Sequence, residues 1–347
     1  MSRERYDSAV PSSKGNKTKR LDRKLAKIIA GKYEPTDFII ADAKDADMSV
    51  GVTAAGRRPG HENDALGAGV YRTRQEYIDD MRTLIEQGDI DVMLTSAANG
   101  EALSAKPGQL KKVTLAVRGN DSTDIWNPRG SNYQESRSVH FQSVNLNRVQ
   151  KFCDLVLYSL TFNNDLEADL QSLKEFKEFR ITAADMGMRY FLEVFNPNAP
   201  NNLKESDYGS YVNDSIIRAL AGVTQAERPL FLKVAFNGGN HLQELTEHDS
   251  SLVVGLLGGS SGTTRDTFEL LTRGEQAGAR VALFGRKIQR SESQTDLVRL
   301  MRPVIERSIT PSQAVDQYHE SLAKKMITPQ RSLQVDQQIT EPALQGE

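Results

Sequence analysis

The chain has 347 residues, 38% of them hydrophobic, with 44 basic side chains against 46 acidic ones and a formal net charge of -2 at neutral pH. That is enough apolar material for a large core, and nothing in the even charge balance points to nucleic acid or an anionic membrane as a partner. A single cysteine, Cys153 in KFCDLVLYSL, excludes an intrachain disulfide and a thiolate metal cage.

Residues 1–20, MSRERYDSAVPSSKGNKTKR, are basic, Ser-rich and almost without core formers, and they read as a flexible tail. This start lacks the apolar stretch of a secretory signal, and no run approaches the roughly 18 apolar residues of a membrane span. A cytoplasmic protein is expected.

From there short apolar runs alternate with helical patterns. Strands are predicted at DFIIADA (37–43), DVMLTSA (91–97), VTLAVRG (113–119), DLVLYSL (154–160), RYFLEVF (189–195), LFLKVAF (230–236), LVVGLLG (252–258) and RVALFGR (280–286). Helix patterns such as RTRQEYIDDMRTLIEQG, NDLEADLQSLKEFKEF, YVNDSIIRALAGV and TTRDTFELLTRGEQAG lie in the gaps. Near-continuous apolar strands belong to sheets covered on both faces, which is the habit of parallel sheets. Eight βα units predict an α/β fold of the (β/α)8, or TIM-barrel, type over residues 21–327, with a doubly wound open sheet as the alternative. Residues 328–347 are Gln-rich and read as a second flexible tail.

In such a barrel the chemistry sits at the C-terminal ends of the strands. The polar residues there are Asp42, Lys44, Asp45 and Asp47 after the first strand, Ser96 and Asn99 after the second, Arg118 and Asn120 at the third, and Ser159 and Thr161 at the fourth. Glu193 lies within the fifth strand, Lys233 within the sixth, Gly258 to Ser261 follow the seventh, and Gly285 and Arg286 follow the eighth. Lys233 stands out, because an ammonium in an apolar strand is costly to bury and a neutral amine is a nucleophile toward carbonyls. An imine on Lys233, once protonated, would act as an electron sink for cleavage of the adjacent carbon–carbon bond, with Glu193 in reach to carry protons. The run Gly258-Gly259-Ser260-Ser261-Gly262-Thr263-Thr264 is a glycine-rich turn entering a helix, and with Gly285-Arg286 at the next strand end it suits a phosphate. No metal is expected. The five histidines have no ligand spacing, and the Asp42, Asp45, Asp47 cluster lacks a recognisable cation loop. No GxGxxG follows the first strand, so no dinucleotide is expected either.

The segments LEVFNP, FLKVAFNGG, LLGGSSGTT and ARVALFGRKIQR, in this order and spacing, resemble the class I (Schiff-base) aldolases of the deoxyribose-phosphate, archaeal-type fructose-bisphosphate and tagatose-bisphosphate group. The resemblance spans roughly residues 37–305 and is strongest from 189 to 290. It implies a lyase that cleaves or forms a carbon–carbon bond of a phosphorylated ketose, with Lys233 as the imine-forming lysine, Glu193 as the strand-five carboxylate that handles protons, and Asp42 as the aspartate ending strand one. It further implies phosphate binding by Gly258, Gly259, Ser260, Gly285 and Arg286, no cofactor beyond the covalent lysine adduct, a small phosphorylated sugar or aldehyde as partner, and a homo-oligomer. ADAKDADM departs from the family's first-strand pattern, so Lys44 stands in for an arginine there, with Arg118 as a further substrate-binding cation. Phe195 falls about where the fructose-bisphosphate branch has a proton-donating tyrosine. The alternative is a barrel that keeps the fold and binds a sugar phosphate or a protein partner without aldol chemistry.

Overall fold

The structure, a computed structural model, describes residues 19–58, 60–61, 69–106 and 108–345. Two short strands, Asp121–Ser122 and His140–Phe141, pair separately, and eight strands form one sheet: β1 (Ile39–Lys44), β2 (Val92–Thr95), β3 (Thr114–Arg118), β4 (Leu155–Thr161), β5 (Arg189–Phe195), β6 (Leu232–Val234), β7 (Val254–Leu257) and β8 (Val281–Phe284). Each pairs in parallel with its sequence neighbours, and β8 returns to β1, so the sheet closes into a barrel. Helices follow the strands on the outside, including α2 (Arg74–Gln87), α3 (Ala97–Ser104), α4 (Leu166–Asp185), α5 (Tyr208–Ala221), α6 (Gly239–His248), α7 (Thr264–Gln276), α8 (Gln294–Ile305) and α9 (Pro311–Lys324). The protein is a (β/α)8 barrel, and the alternative of an open sheet is excluded by the β1–β8 ladder. No helix among the described residues is long and apolar enough to cross a membrane.

Strand alternation sorts the core into two shells. Ile39, Ala41 and Ala43 of β1 join Leu94, Ala116, Leu157, Phe191, Phe231 and Leu283 inside the barrel. Ile40, Met93, Leu115, Val156, Leu192 and Ala282, one residue out of step, pack against the helices. Phe191 and Phe231 stack at 4.6 Å across β5 and β6 and form the floor beneath the residues that follow them. The N-terminal end is plugged by α1 (Arg20–Ile29), whose Leu21 and Leu25 are buried in the inner shell. Fully burying each contributes roughly 1.5–3 kcal/mol. Lys24 Nζ fixes the plug by donating to the Phe38 carbonyl and to Asp91, which also accepts from the Ile40 amide.

The C-terminal residues, predicted as a flexible tail from 328 onward, instead fold back over the barrel. Leu333–Asp336 and Pro342–Gln345 form single helical turns. Asp336 accepts from the Thr264 amide at 2.8 Å and pairs with His319 at 3.0 Å. Asp266, at the start of α7, accepts from the Thr263 amide, the Thr340 amide and hydroxyl, and the Glu341 amide. Leu344 is buried, and Arg273 donates to its carbonyl. Apart from Leu344 and the partly buried Ile339, the attachment is polar, which is why hydropathy does not reveal it. The first 18 residues, expected as a basic tail, lie outside the described residues.

Burial pushes the Asp266 carboxyl up, but its hydrogen bonds outweigh that and hold it below the ordinary carboxylate range. A carboxyl held low stabilises the folded arrangement above its unfolded pKa, and that contribution is lost as pH falls through the folded value. The C-terminal segment is therefore expected to resist limited proteolysis at neutral pH and to become cleavable below about pH 4, while Asp266→Asn should expose it already at pH 7. Equal protection of both chains at pH 7 would contradict the latch.

Candidate active site

The site is built on the inward parity of the strands, one step above the apolar floor. Glu193 follows Phe191 on β5, and Lys233 follows Phe231 at the centre of β6; the two are cross-strand neighbours in register. Lys233 Nζ lies 2.5 Å from Glu193 Oε1, and the two side chains are 8% and 1% exposed. Gly255 is Lys233's register partner on β7. A Cβ there would stand 2.7 Å from the Leu232 carbonyl and 2.8 Å from Val281, so only glycine lets β7 pass this close beside the lysine.

The other oxygen of Glu193 is held from β3 and β4. Glu193 Oε2 accepts from Arg118 Nη2 at 2.9 Å and from Ser159 Oγ at 2.8 Å. Arg118 Nη1 donates to Ser159 Oγ at 2.7 Å, and Arg118 Nε to Asp45 Oδ2 at 2.5 Å. Asn120 fixes Ser159 from both sides, donating Nδ2 to its carbonyl and accepting its amide at Oδ1. The result is an unbroken chain Lys233, Glu193, Arg118, Asp45, with two positive and two negative charges, almost wholly removed from water. Burial works against the Arg118 charge, but Asp45 and Glu193 more than offset it and raise its pKa above the ordinary guanidinium value. Burial likewise pushes Asp45 up, yet the Arg118 and Lys233 charges hold it below the usual carboxylate range.

Two predicted residues do not join this chain. Asp42 and Lys44 share the parity of Ile40 and point into the layer between β1 and α2, not into the barrel. Lys44 Nζ lies 3.1 Å from Asp42 Oδ1, with both side chains fully buried. Burial raises the Asp42 pKa and lowers that of Lys44, each resisted by the other's charge. The Asp42 charge also reinforces the burial that raises the Tyr77 hydroxyl on α2 well above its usual value. Strand one therefore contributes Asp45, the next inward position after Ile39, Ala41 and Ala43. The alternation of that strand carried the signal, and reading its last aspartate as the catalytic one overlooked it. Arg118, predicted to bind substrate, spends its donors on Asp45, Ser159 and Glu193 and so holds the site together.

The rim holds the predicted anion-binding residues. The Gly258–Gly262 turn contains left-handed glycines at Gly259 (φ +64°) and Gly262 (φ +55°), and a Cβ on Gly285 would meet the Ala43 carbonyl at 2.9 Å. Arg286 is exposed and its guanidinium makes no hydrogen bond or ion pair among the described residues, while its charge feels both Glu193 and Glu341. The first amides of α7, expected to face a phosphate, are instead taken by carboxylates: Thr263 N by Asp266 and Thr264 N by Asp336. Sequence reasoning also passed over Asn196 and Asn237, the first polar residues beyond β5 and β6. Their amides bond reciprocally at 2.7 and 2.9 Å and tie the two strand ends together. Asp47 accepts from Ser96 Oγ at 2.6 Å and Asn99 Nδ2 at 3.0 Å, so the strand-two candidates serve to anchor the loop after β1.

No protein family and no curated protein matches the sequence. Among solved structures, the chain is similar to an archaeal fructose 1,6-bisphosphate aldolase at 14% identity and a TM-score of 0.59, over 81% of this chain and 99% of that one. A Schiff-base-forming fructose-1,6-bisphosphate aldolase gives 13% identity and 0.57, over 82% and 99%. A protein of Corynebacterium glutamicum gives 16% and 0.56, over 83% and 93%. At these identities the likeness is one of fold.

Replacing Arg118 by Met leaves two buried carboxylates with reduced compensation, and the folded state is expected to lose about 3–5 kcal/mol in urea unfolding. Arg118→Lys, which keeps the charge but cannot reach three groups from a planar fork, should recover only part of this. A loss below about 1 kcal/mol for Arg118→Met would show that the network is not what holds these strand ends.

Proposed function

We propose that this chain is a class I aldolase acting on a phosphorylated ketose through an imine at Lys233. The observation that carries this is the 2.5 Å pairing of Lys233 with Glu193 on adjacent strands, inside the C-terminal mouth of the barrel. The free Arg286 guanidinium and the Gly258–Ser260 turn at the rim support it, as does the fold shared with Schiff-base aldolases.

The steps follow from these atoms. Lys233 passes a proton to Glu193 Oε1, and the neutral amine attacks the ketone carbon to give a carbinolamine. Glu193 returns the proton to the carbinolamine hydroxyl, which leaves as water, and the nitrogen lone pair forms the iminium. The carboxylate then takes the proton from the hydroxyl on the carbon beyond the breaking bond. An aldehyde departs, and the bonding pair flows to the iminium nitrogen to give an enamine. Protonation of the enamine carbon and hydrolysis of the imine release the second product. Throughout, Arg118 and Ser159 hold Glu193 Oε2, so that Oε1 remains aimed at Lys233. Asp45 anchors Arg118 and takes the place in the site that the sequence reading gave to Asp42. Arg286 and the glycine turn supply the cation and the close backbone approach for the substrate's phosphate.

Cleavage of a panel of phosphorylated ketoses, followed by coupled detection of the aldehyde product, tests the proposal. At least one is expected to be cleaved, with Lys233→Met losing on the order of 10³-fold or more in kcat and Glu193→Gln roughly 10²–10⁴-fold, each assayed well below its own melting temperature because either change leaves a buried charge with one partner fewer. Cleavage retained by Lys233→Met would sink the assignment. Phosphate binding without cleavage of any ketose would point to the binding-only barrel.

A further inference from the structure

The folded-back C-terminal segment carries a carboxylate to the turn after β7. Glu341 Oε1 accepts from Ser260 Oγ at 3.0 Å and from Lys287 Nζ at 2.8 Å, and it stands 3.1 Å from the position of a Cβ on Gly262. The Lys287 side chain is fully shielded from solvent, and Glu341 is its one ion-pair partner among the described residues. The carboxylate is held firmly, because the flanking Thr340 is fastened to Asp266 through its amide and hydroxyl and the Glu341 amide binds the same group. Ser260 is the hydroxyl, and Lys287 the ammonium, nearest in sequence to the glycines and to Arg286 of the anion seat.

We propose that Glu341 is a specificity-determining residue, an internal anion that competes with the anionic group of a substrate for Ser260 and Lys287. The proposal rests on reading the β7 and β8 ends as the seat of the substrate's phosphate. A carboxylate bound by one hydroxyl and one ammonium is a singly charged stand-in for a phosphate bound by the same donors. A phosphate arriving at the turn finds the Ser260 donor engaged and the Lys287 charge neutralised, and it meets a like charge within a few ångströms of Gly262. Affinity for the anionic end is thus set by a segment outside the barrel proper, through one side chain.

Isothermal titration of inorganic phosphate into the full-length protein tests this without requiring turnover. Glu341→Gln is expected to bind phosphate about tenfold more tightly than the unaltered chain. Adding Ser260→Ala to Glu341→Gln should remove much of that gain, and Lys287→Met should lose binding. Unchanged or weaker binding by Glu341→Gln at an unchanged melting temperature overturns the proposal, as does absence of phosphate binding by every chain. If Glu341→Gln lowers the melting temperature, Glu341→Asp, which keeps the charge but withdraws it by one methylene, should still tighten binding, and failure to do so counts against the proposal equally. The same titrations in a Lys233→Met background separate the two readings. There the gain from Glu341→Gln is expected to persist even if no ketose is cleaved, and its loss in an active enzyme would leave the aldolase reading standing.

Discussion

The arrangement at the barrel's mouth depends on Arg118. Four charges are buried there, and a carboxylate or an ammonium taken out of water without a partner costs several kcal/mol. Arg118 makes the burial tolerable because one planar group satisfies Asp45, Ser159 and Glu193 along different directions. It leaves one oxygen of Glu193 for Lys233, and the total comes to zero. A lysine could not span these distances from a single nitrogen, and an apolar residue would strand Asp45 and leave Glu193 with Lys233 as its one counter-charge. The pairing of Lys233 with Glu193, from which the proposed chemistry starts, exists in this geometry because β3 supplies the counter-charge across the barrel.

The same requirement explains why the strand ends are tied so carefully. Asn120 grips the Ser159 backbone, Asn196 and Asn237 lock β5 to β6, and Asp47 bonds Ser96 and Asn99 so that the loop after β1 delivers Asp45 at the right height. The Phe191–Phe231 stack forms an apolar floor beneath them. On the neighbouring strand, Gly255 lacks a side chain where a Cβ would strike the Leu232 carbonyl and Val281, so β7 can lie close against β6 beside Lys233. The fold places polar groups from six strand ends in one small volume, and each has a bond that fixes its direction.

The eight strands were legible because each is apolar on both faces, as a barrel between helices demands, and Lys233 and Glu193 were legible because a charge in such a strand is conspicuous. The first strand was misread because it carries charges at both parities. Asp42 and Lys44 face the helices as a buried pair, whereas Asp45, just past the strand, faces in. Composition cannot separate these, but counting alternation from Ile39 does. The C-terminal segment was illegible for another reason. It is held by Asp266, Asp336 and Arg273 through backbone groups, and a Gln-rich sequence with few apolar residues gives no apolar periodicity from which to read such docking.

In the proposed reaction Lys233, held by Glu193, is the nucleophile. Reduction with borohydride in the presence of each phosphorylated ketose, followed by peptide mapping by mass spectrometry, addresses it most directly. The expected result is a mass increase on the peptide containing Lys233 equal to the ketose less one oxygen, since imine formation loses water and reduction adds two hydrogens, and no such increase in Lys233→Met. No adduct with any ketose, or an adduct on another lysine such as Lys44 or Lys287, would contradict it.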